Sequence, residues 1–417
     1  MRISLPSGAL WRHAGFLRLW AAQSVSSFGA RIAREGFAMT AILTIDAKPA
    51  QLGVLAALTL APQVLVGLFA GGFVDRASRR HIMIGADLLR TALLLTIPAA
   101  AWLHLLAIPQ LYVCAFGVGA ASVLFDIADH AFLPALIGRA LLVEGNTRLA
   151  MTESVAEIGG PALAGTLFQL FTAPFAMLGT ALTYLVSALF LLSVPHVEHR
   201  EHAAEQPGWR ADLRSGLDTV LGEPMVRPIF LVGAFSPLFG AFFSALYMIY
   251  GLKVLALSPA LLGLCIALGG VGALFGAGLS SFLCRTLGVG RTIVLCGFAS
   301  GVLALLIPLA SGPLWLRAAI LMLTQFGGDA VAVAAIIPMT SLRQSLLPQA
   351  MLGRTAAVFS AAAGATAILG ALTGGLLGGW IGVRPTLFLA AAAYLLTPLF
   401  VVFSPLRRLV EGARASG

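Results

Sequence analysis

The stretch Gly71-Gly-Phe-Val-Asp-Arg-Ala-Ser-Arg-Arg80 places one acid and three arginines within six residues, between two long apolar runs. A charge cluster of this density is too costly for the hydrocarbon interior, so the stretch must form a short turn at a membrane face. Each flanking run is long enough to cross a bilayer, which takes about 20 residues. The sequence therefore predicts a membrane protein with a charged turn after its second span.

The composition of the whole chain agrees with this prediction. The 417 residues are 59% hydrophobic and 10% charged, whereas soluble globular chains carry about 25% charged residues. About twelve apolar runs of spanning length follow one another in two sets of six. They are Phe16–Ile45, Leu52–Val74, Ile82–Leu103, Ile108–Ala131, Thr147–Phe171, Pro174–Val194, Pro228–Val254, Leu261–Leu283, Ile293–Ala310, Leu314–Pro338, Ala356–Ile381 and Thr386–Phe403.

A long polar segment, His196–Arg227, separates the two sets. We therefore predict an all-α polytopic membrane protein with about twelve transmembrane helices in two six-helix bundles. The N-terminal bundle covers residues 1–195, an aqueous linker covers 196–227, and the C-terminal bundle with a short tail covers 228–417. Within the linker, Trp209–Leu221 is expected to form a short surface helix.

Arginine is distributed unevenly between the two sides of this topology. One side receives Arg2, Arg12, Arg18, Arg76, Arg79, Arg80, Arg139, the linker arginines, Arg285, Arg291, Arg343, Arg354, Arg407 and Arg408. The other receives little beyond Lys48, Lys253, Arg317 and Arg384. Because basic residues favour cytoplasmic loops, both termini and the linker are expected to be cytoplasmic. The formal net charge of +9 then reflects topology, and no nucleic-acid partner is expected.

Enzymatic and nucleotide-driven functions lack their usual motifs. The chain has no HExxH, no GxSxG and no Walker Gly-Lys-Ser/Thr sequence. Its four cysteines, Cys114, Cys265, Cys284 and Cys296, are not spaced as metal ligands or as a disulfide framework. We therefore expect a non-enzymatic protein without a metal or cofactor, and its N-terminus does not resemble a cleaved signal peptide.

The two halves also echo each other in sequence. Leu133-Pro134 followed by Arg139 in the first half corresponds to Leu347-Pro348 followed by Arg354 in the second. Each Leu-Pro pair is expected to follow the fourth span of its half and to precede a polar turn that contains the arginine and leads into the fifth span. Parallel six-span repeats of this kind are a known transporter design.

The chain resembles transporters of the major facilitator superfamily over nearly its whole length. Gly71, Asp75, Arg76, Arg79 and Arg80 are similar to its loop between spans two and three, with Ser78 in place of the usual Gly. The resemblance implies a transporter that works by alternating access, with this loop as a cytoplasmic latch. A somewhat different turn is expected at Ser78.

A second segment is similar to the signature of antiporting exporters. It reads Gly160-Pro161-Ala-Leu-Ala-Gly165, with an alanine replacing one glycine. The arginine that many drug antiporters carry early in span four is absent. Short features resemble the bacterial branch of enterobactin-type siderophore exporters and macrolide efflux proteins: Phe16-Leu-Arg-Leu-Trp20, Ala86-Asp-Leu-Leu-Arg90, Phe125-Asp126 and Leu133-Pro134. That branch implies a bacterial inner-membrane protein.

Ionisable residues inside spans are candidate functional groups because they are costly there. Arg31 and Glu35 in span one are spaced i,i+4 and are expected to pair; with Arg34 they form a substrate patch or a structural ion pair. Asp87 and Arg90, at i,i+3, are expected to form a structural pair that supports the charged turn, with substrate contact as the alternative.

Acids on spans four, five and ten are candidates for gating and proton coupling. Asp126 and Asp129 are expected to accept Arg76 or Arg79 and to hold the cytoplasmic gate, or to carry protons. Glu153 and Glu157 share one helical face, where mutual repulsion favours protonation of one of them. These two, and Asp329 after Gly327-Gly328, are proton-coupling candidates, with structural ion pairing or a hydrogen-bonded kink as the alternatives.

Aromatic and glycine patterns suggest contacts within the second half. Phe239, Phe243 and Tyr247 recur along one face of span seven as substrate-binding candidates, while packing against neighbouring helices or lipid is the favoured alternative. Glycines at small-xxx-small spacing in spans eight and eleven permit close helix contact.

The function expected from these features is secondary active efflux of a small amphipathic compound, such as a drug or siderophore, by proton antiport. The alternatives are a major facilitator importer of a small metabolite and, with less support, a lipid-handling or enzymatic membrane protein. The expected partners are the small-molecule substrate, protons and the lipid bilayer, and the chain is expected to act as a monomer.

Overall fold

The computed structural model describes residues 10–67, 74, 77–195 and 209–408. These residues form helices joined by short turns, and no strand occurs among them. A 3-10 turn, Leu10–Arg12, precedes the first helix, and another, Pro405–Arg408, follows the last. The helices of the first half are α1 (Ala14–Thr44), α2 (Pro49–Leu65), α3 (Arg79–Trp102), α4 (residues 108–137), α5 (residues 139–170) and α6 (Ala173–Leu192).

The second half begins with the linker helix α7 (Trp209–Gly222), as predicted. It continues with α8 (Arg227–Ile249), which ends in the π-helical segment Tyr250–Val254, and then α9 (Pro259–Leu287), α10 (Val289–Leu309), α11 (Leu314–Leu346), α12 (Gln349–Trp380), α13 (Val383–Leu396) and α14 (Leu399–Val402).

The predicted all-α polytopic fold is confirmed. Within the described ranges, nine helical stretches are long and apolar enough to cross a membrane, and one of them, Ile108–Leu170, contains both α4 and α5. The charged helix α1 and the apolar α2 bring the number of spans to twelve.

The turn predicted after Leu133-Pro134, at Arg139, is confirmed, because the helix continues through the proline and breaks directly before Arg139. The break lies at Gly138, whose φ of 70° is a backbone conformation that glycine adopts without steric cost. Phe132, Leu133 and Leu136 are buried against Phe16 in one apolar cluster, which keeps this segment helical and packed. In the second half the break falls earlier, at Leu347 and Pro348, so the turn predicted at Arg354 is wrong and Arg354 lies within α12.

The chain divides into two compact units. The first comprises Met1–Asp46 and Ala61–Ala204, and the second comprises Ala47–Leu60 and Glu205–Gly417. In the first unit, α1 packs on α5 and α6, and α3 packs on α4 and α6. Its core cluster includes Phe16, Leu19, Met83 and Phe125.

Glycine contacts hold the second unit together. Cβ atoms added at Gly272 and Gly276 of α9 would meet the α11 backbone, while Gly374 of α12 lies against Phe242 of α8. The predicted close helix contact at these glycines is therefore confirmed. The beginning of α2 belongs to this unit, where Gly53 lies against Gly375. Helix α7 packs on α12.

Candidate functional site

The charged turn is only partly within the described residues. Gly71, Asp75 and Arg76 lie outside them. Arg79 donates to the carbonyl oxygen of Ala131 on α4 at 2.8 Å. Arg80 donates to the carbonyl oxygens of Leu191 and Leu192 at 3.0 and 2.5 Å. Arg80 thus binds carbonyls at the α6 C-terminus, where a cation is favourable.

Ser78 is the N-cap residue of α3, and its hydroxyl accepts from the backbone N–H of His81. Serine is among the preferred N-cap residues because its side chain satisfies a helix N–H that has no partner in the helix. The substitution of Ser for the usual Gly at this position therefore gives the turn a cap that glycine cannot supply.

The acids of α4 have other partners than predicted. Asp129 accepts a hydrogen bond from the side-chain amide of Gln23 on α1, and Arg79 binds a carbonyl instead of a carboxylate. The predicted contact of Arg79 with Asp126 or Asp129 is therefore wrong, and the alternative contact of Arg76 lies outside the described residues. Asp126 is exposed one turn from His130. Gln23 was not singled out from the sequence, since a lone glutamine in an apolar run gives no spacing signal.

A network of four charges joins α1 to α5. The guanidinium of Arg31 lies 3.1 Å from Glu153 Oε1 and 2.6 Å from Glu157 Oε2. Arg34 approaches the other carboxylate oxygen, Oε1, of Glu157 at 3.5 Å. Glu157 is thus bridged by two arginines of another helix. The side chain of Arg31 is only 15% exposed, against 42% for Glu157 and 65% for Glu153.

The Gly-Pro signature makes this network possible. A Cβ added at Gly160 would collide with the side-chain stem of Arg31, so glycine lets the two helices approach at this level. Pro161 lacks a backbone N–H and cannot donate to the carbonyl of Glu157 four residues earlier. The residues that resemble an antiport signature are therefore adjacent to the most heavily paired acid of α5.

The predicted pairing of Arg31 with Glu35 is wrong. Both residues lie on α1, but Arg31 forms its ion pairs with Glu153 and Glu157 on α5. Glu35 is half-buried one turn further along α1. Contact between the helices is possible because Glu153 and Glu157 both reach Arg31 from one face of α5. Their i,i+4 spacing had correctly predicted that they share this face.

Asp87 and Arg90 form the predicted ion pair at 3.0 Å, with side chains 0% and 2% exposed. Arg90 also donates to Ser26 and to the carbonyl oxygen of Ala121, each at 3.2 Å. Its guanidinium lies over the rings of Phe125 and Tyr184. The pair therefore links α3 to α1, α4 and α6 in the interior of the first unit.

The second unit contains the remaining candidate site residues, on α8 and α11. Asp329 on α11 lies against Gly269 of α9, whose missing side chain leaves room for the carboxylate. On α8, Phe239, Phe243 and Tyr247 are half-buried, and the ring of Phe239 lies 6.4 Å from that of Phe242. Phe242 itself packs on α12, so the ring of Phe239 lies beside a residue that packs between helices.

Several solved structures of transporters are similar in fold to this chain. The chain is similar to the nucleoside transporter NupG (TM-score 0.77, 14% identity, 93% of this chain and 98% of that chain). It is also similar to a bacterial homologue of the iron transporter ferroportin in an inward-facing state (TM-score 0.69, 18% identity, 93% and 98%) and to a D-xylose–proton symporter (TM-score 0.67, 14% identity, 95% and 99%). These similarities show that the chain has the fold of these transporters, the major facilitator fold.

The chain belongs to the transmembrane secretion effector family of the major facilitator superfamily, whose model matches residues 7–416. Among its relatives are two uncharacterized MFS-type transporters of Bacillus subtilis (strain 168). YfiS is 25% identical over 380 residues, 88% of either chain. YvqJ is 24% identical over 232 residues, which are 53% of this chain and 54% of YvqJ. The protein is therefore a multi-pass membrane transporter, not an enzyme.

Proposed function

We propose that the protein exports a small amphipathic compound, such as a drug or siderophore, in exchange for protons. Its two termini face the cytoplasm and it acts as a monomer in a bacterial inner membrane. The observation that carries the proposal is the double bridging of Glu157 by Arg31 and Arg34, one turn before Gly160-Pro161. The description of the family as a secretion effector supports export.

The coupling step follows from the charges of the network. Two guanidiniums and two carboxylates balance one another while Glu157 is ionised. A proton on Glu157 removes one negative charge and weakens both of its contacts with α1, because an opposite charge stabilises only the ionised carboxylate. In the proposed cycle, export proceeds with Glu157 paired to α1, and the empty protein returns with Glu157 protonated. Substrate and proton thus cross in opposite directions.

The first step of the test is to identify the exported compound, since the proposal names only a class of compounds. A strain lacking the gene is exposed to a panel of drugs and siderophores, and a compound to which it becomes sensitive is then used with everted membrane vesicles. Export corresponds to accumulation in everted vesicles when a proton gradient is imposed. Accumulation in right-side-out vesicles instead would identify an importer and overturn the direction.

The coupling residue is tested in the same vesicles. Glu157→Gln is expected to abolish gradient-driven accumulation while exchange of labelled for unlabelled compound continues. Glu144→Gln, on the same helix α5 but outside the network, is the matched control and should behave as the unmodified protein. Full gradient-driven accumulation by Glu157→Gln would exclude Glu157 as the proton carrier.

A further inference from the structure

A cavity of about 370 Å³ lies inside the second unit, between α8, α10, α11, α12 and α13. It is present because small residues face it from three helices, namely Gly233, Ala332, Ala335 and Ala363. Its volume falls within the range of small-molecule sites, about 300–1,000 Å³. None of the predicted site residues that the structure describes lines this cavity.

One cationic residue, Arg343, reaches this cavity. Ile336, Met339 and Arg343 line the cavity from α11 at intervals of three and four residues, which places them on one face of that helix. The guanidinium lies 4.6 Å from the ring centroid of Phe359, another lining residue. Arg343 is half-buried, so part of its hydration is lost.

No acid balances that charge among the described residues. None of the four ion pairs there includes Arg343. Between residues 227 and 410 the sequence contains a single acid, Asp329. It lies on the same helix as Arg343, about 21 Å away at 1.5 Å per residue. A cation in a mostly apolar cavity without a counter-ion favours an anionic ligand.

Three hydroxyl groups that line the cavity already donate to partners within the protein. Ser236 donates to the hydroxyl of Thr397 at 3.3 Å, and Thr397 donates to the carbonyl oxygen of Tyr394 at 2.8 Å. Ser300 donates to the carbonyl oxygen of Cys296 at 2.9 Å. Since most of the remaining wall is apolar, the cavity is suited to an alkyl or aryl group and poorly suited to a polyhydroxylated ligand.

We propose that this cavity binds an amphipathic monoanion, whose anionic group pairs with Arg343 and whose apolar part lies between Ala335 and Ala363. The ligand chemistry is shared by a free medium-chain carboxylate and by an anionic lipid. The assignment of this ligand class as the exported cargo rests on the function proposed above. The proposal that the cavity binds this ligand does not rest on that function, because binding needs no proton gradient.

Octanoate is the probe, titrated calorimetrically into the full-length protein in nanodiscs of neutral phosphatidylcholine, with empty nanodiscs as the blank. Octyltrimethylammonium, which has the same alkyl chain and the opposite charge, reports partitioning into the lipid. Octanoate is expected to bind the protein, and the cation is not. Equal binding of both compounds would overturn the proposal.

Variants locate the site. Arg343→Gln is expected to weaken octanoate binding about tenfold or more, because charge-assisted hydrogen bonds are the stronger class, and Arg343→Lys should retain part of the binding. Ala335→Leu, which fills the cavity and keeps the charge, should also weaken it. The control Arg285→Gln removes an exposed arginine of α9 outside the cavity and should bind normally. Normal binding by both Arg343→Gln and Ala335→Leu would overturn the site.

Two further measurements distinguish a lipid ligand from a free carboxylate ligand. They also distinguish a failure of this site from a failure of the function proposed above. If phosphatidylglycerol in the nanodiscs competes with octanoate, the site is supported with a lipid as its ligand, and the cargo assignment is overturned. If octanoate instead accumulates in everted vesicles and Arg343→Gln abolishes this, the cargo assignment is supported. Glu157→Gln should bind octanoate normally, so a failure of proton coupling is distinguishable from a failure of this site.

Discussion

Gly160 of α5 lies directly against the side-chain stem of Arg31 of α1, so the closest approach of these helices coincides with the ion pairs to Glu153 and Glu157. Without this approach, the guanidinium of Arg31 could not reach both carboxylates. A single glycine therefore connects the backbone packing of the first unit to its charge network.

Gly160→Ala is expected to force Arg31 away from α5. The added Cβ would lie 3.1 Å from Arg31 Cγ and nearer still to its Cβ, and such overpacking costs about 1–3 kcal/mol. The thermal unfolding temperature in detergent should fall, and gradient-driven transport should fall with it. Gly179→Ala on α6 is the control, because no atom lies within 4 Å of the added Cβ. Equal unfolding temperatures for the two variants would contradict the close approach.

The ion pair of Asp87 and Arg90 predicts a strong dependence of stability on both partners. Asp87→Asn leaves the cation of Arg90, 2% exposed, without its counter-ion, at a cost of about 3–5 kcal/mol. The yield of monodisperse protein and its unfolding temperature should both fall sharply. The double variant Asp87→Asn with Arg90→Gln should lose less than the sum of the two single losses. Strict additivity would show that the two residues do not stabilise each other.

Local pairing was more predictable from the sequence than pairing between helices. The i,i+3 spacing of Asp87 and Arg90 correctly predicted an ion pair, and apolar run lengths correctly predicted the polytopic α fold. The pairing of Arg31 with Glu35 failed because helical spacing shows which residues share a face but not which helix packs on that face. The cavity at Arg343 depends on small side chains from several helices, which a linear pattern does not reveal.

The cap of α3 predicts a graded response at Ser78. Ser78→Ala removes the oxygen that accepts from the N–H of His81 and should cost about 1 kcal/mol, whereas Ser78→Gly should cost only a few tenths. The unfolding temperature of Ser78→Ala should therefore be the lowest, and that of Ser78→Gly should lie between it and the unmodified protein. If glycine is the more destabilising substitution, the hydroxyl is not the source of stability at this turn.

Pro338, inside α11, and Ser280 of α9 predict a compensating pair in the second unit. Proline has no N–H to donate to the carbonyl of Ala334 four residues earlier, and the hydroxyl of Ser280, in a residue 2% exposed, donates to that oxygen at 3.2 Å. Ser280→Ala would leave a buried carbonyl without a donor, at a cost of about 1–3 kcal/mol. In a Pro338→Ala background the helix supplies its own N–H, so the same substitution should cost much less. The thermal unfolding temperatures of the four proteins measure the difference, and an equal loss in both backgrounds would show that Ser280 does not replace the hydrogen bond that Pro338 removes.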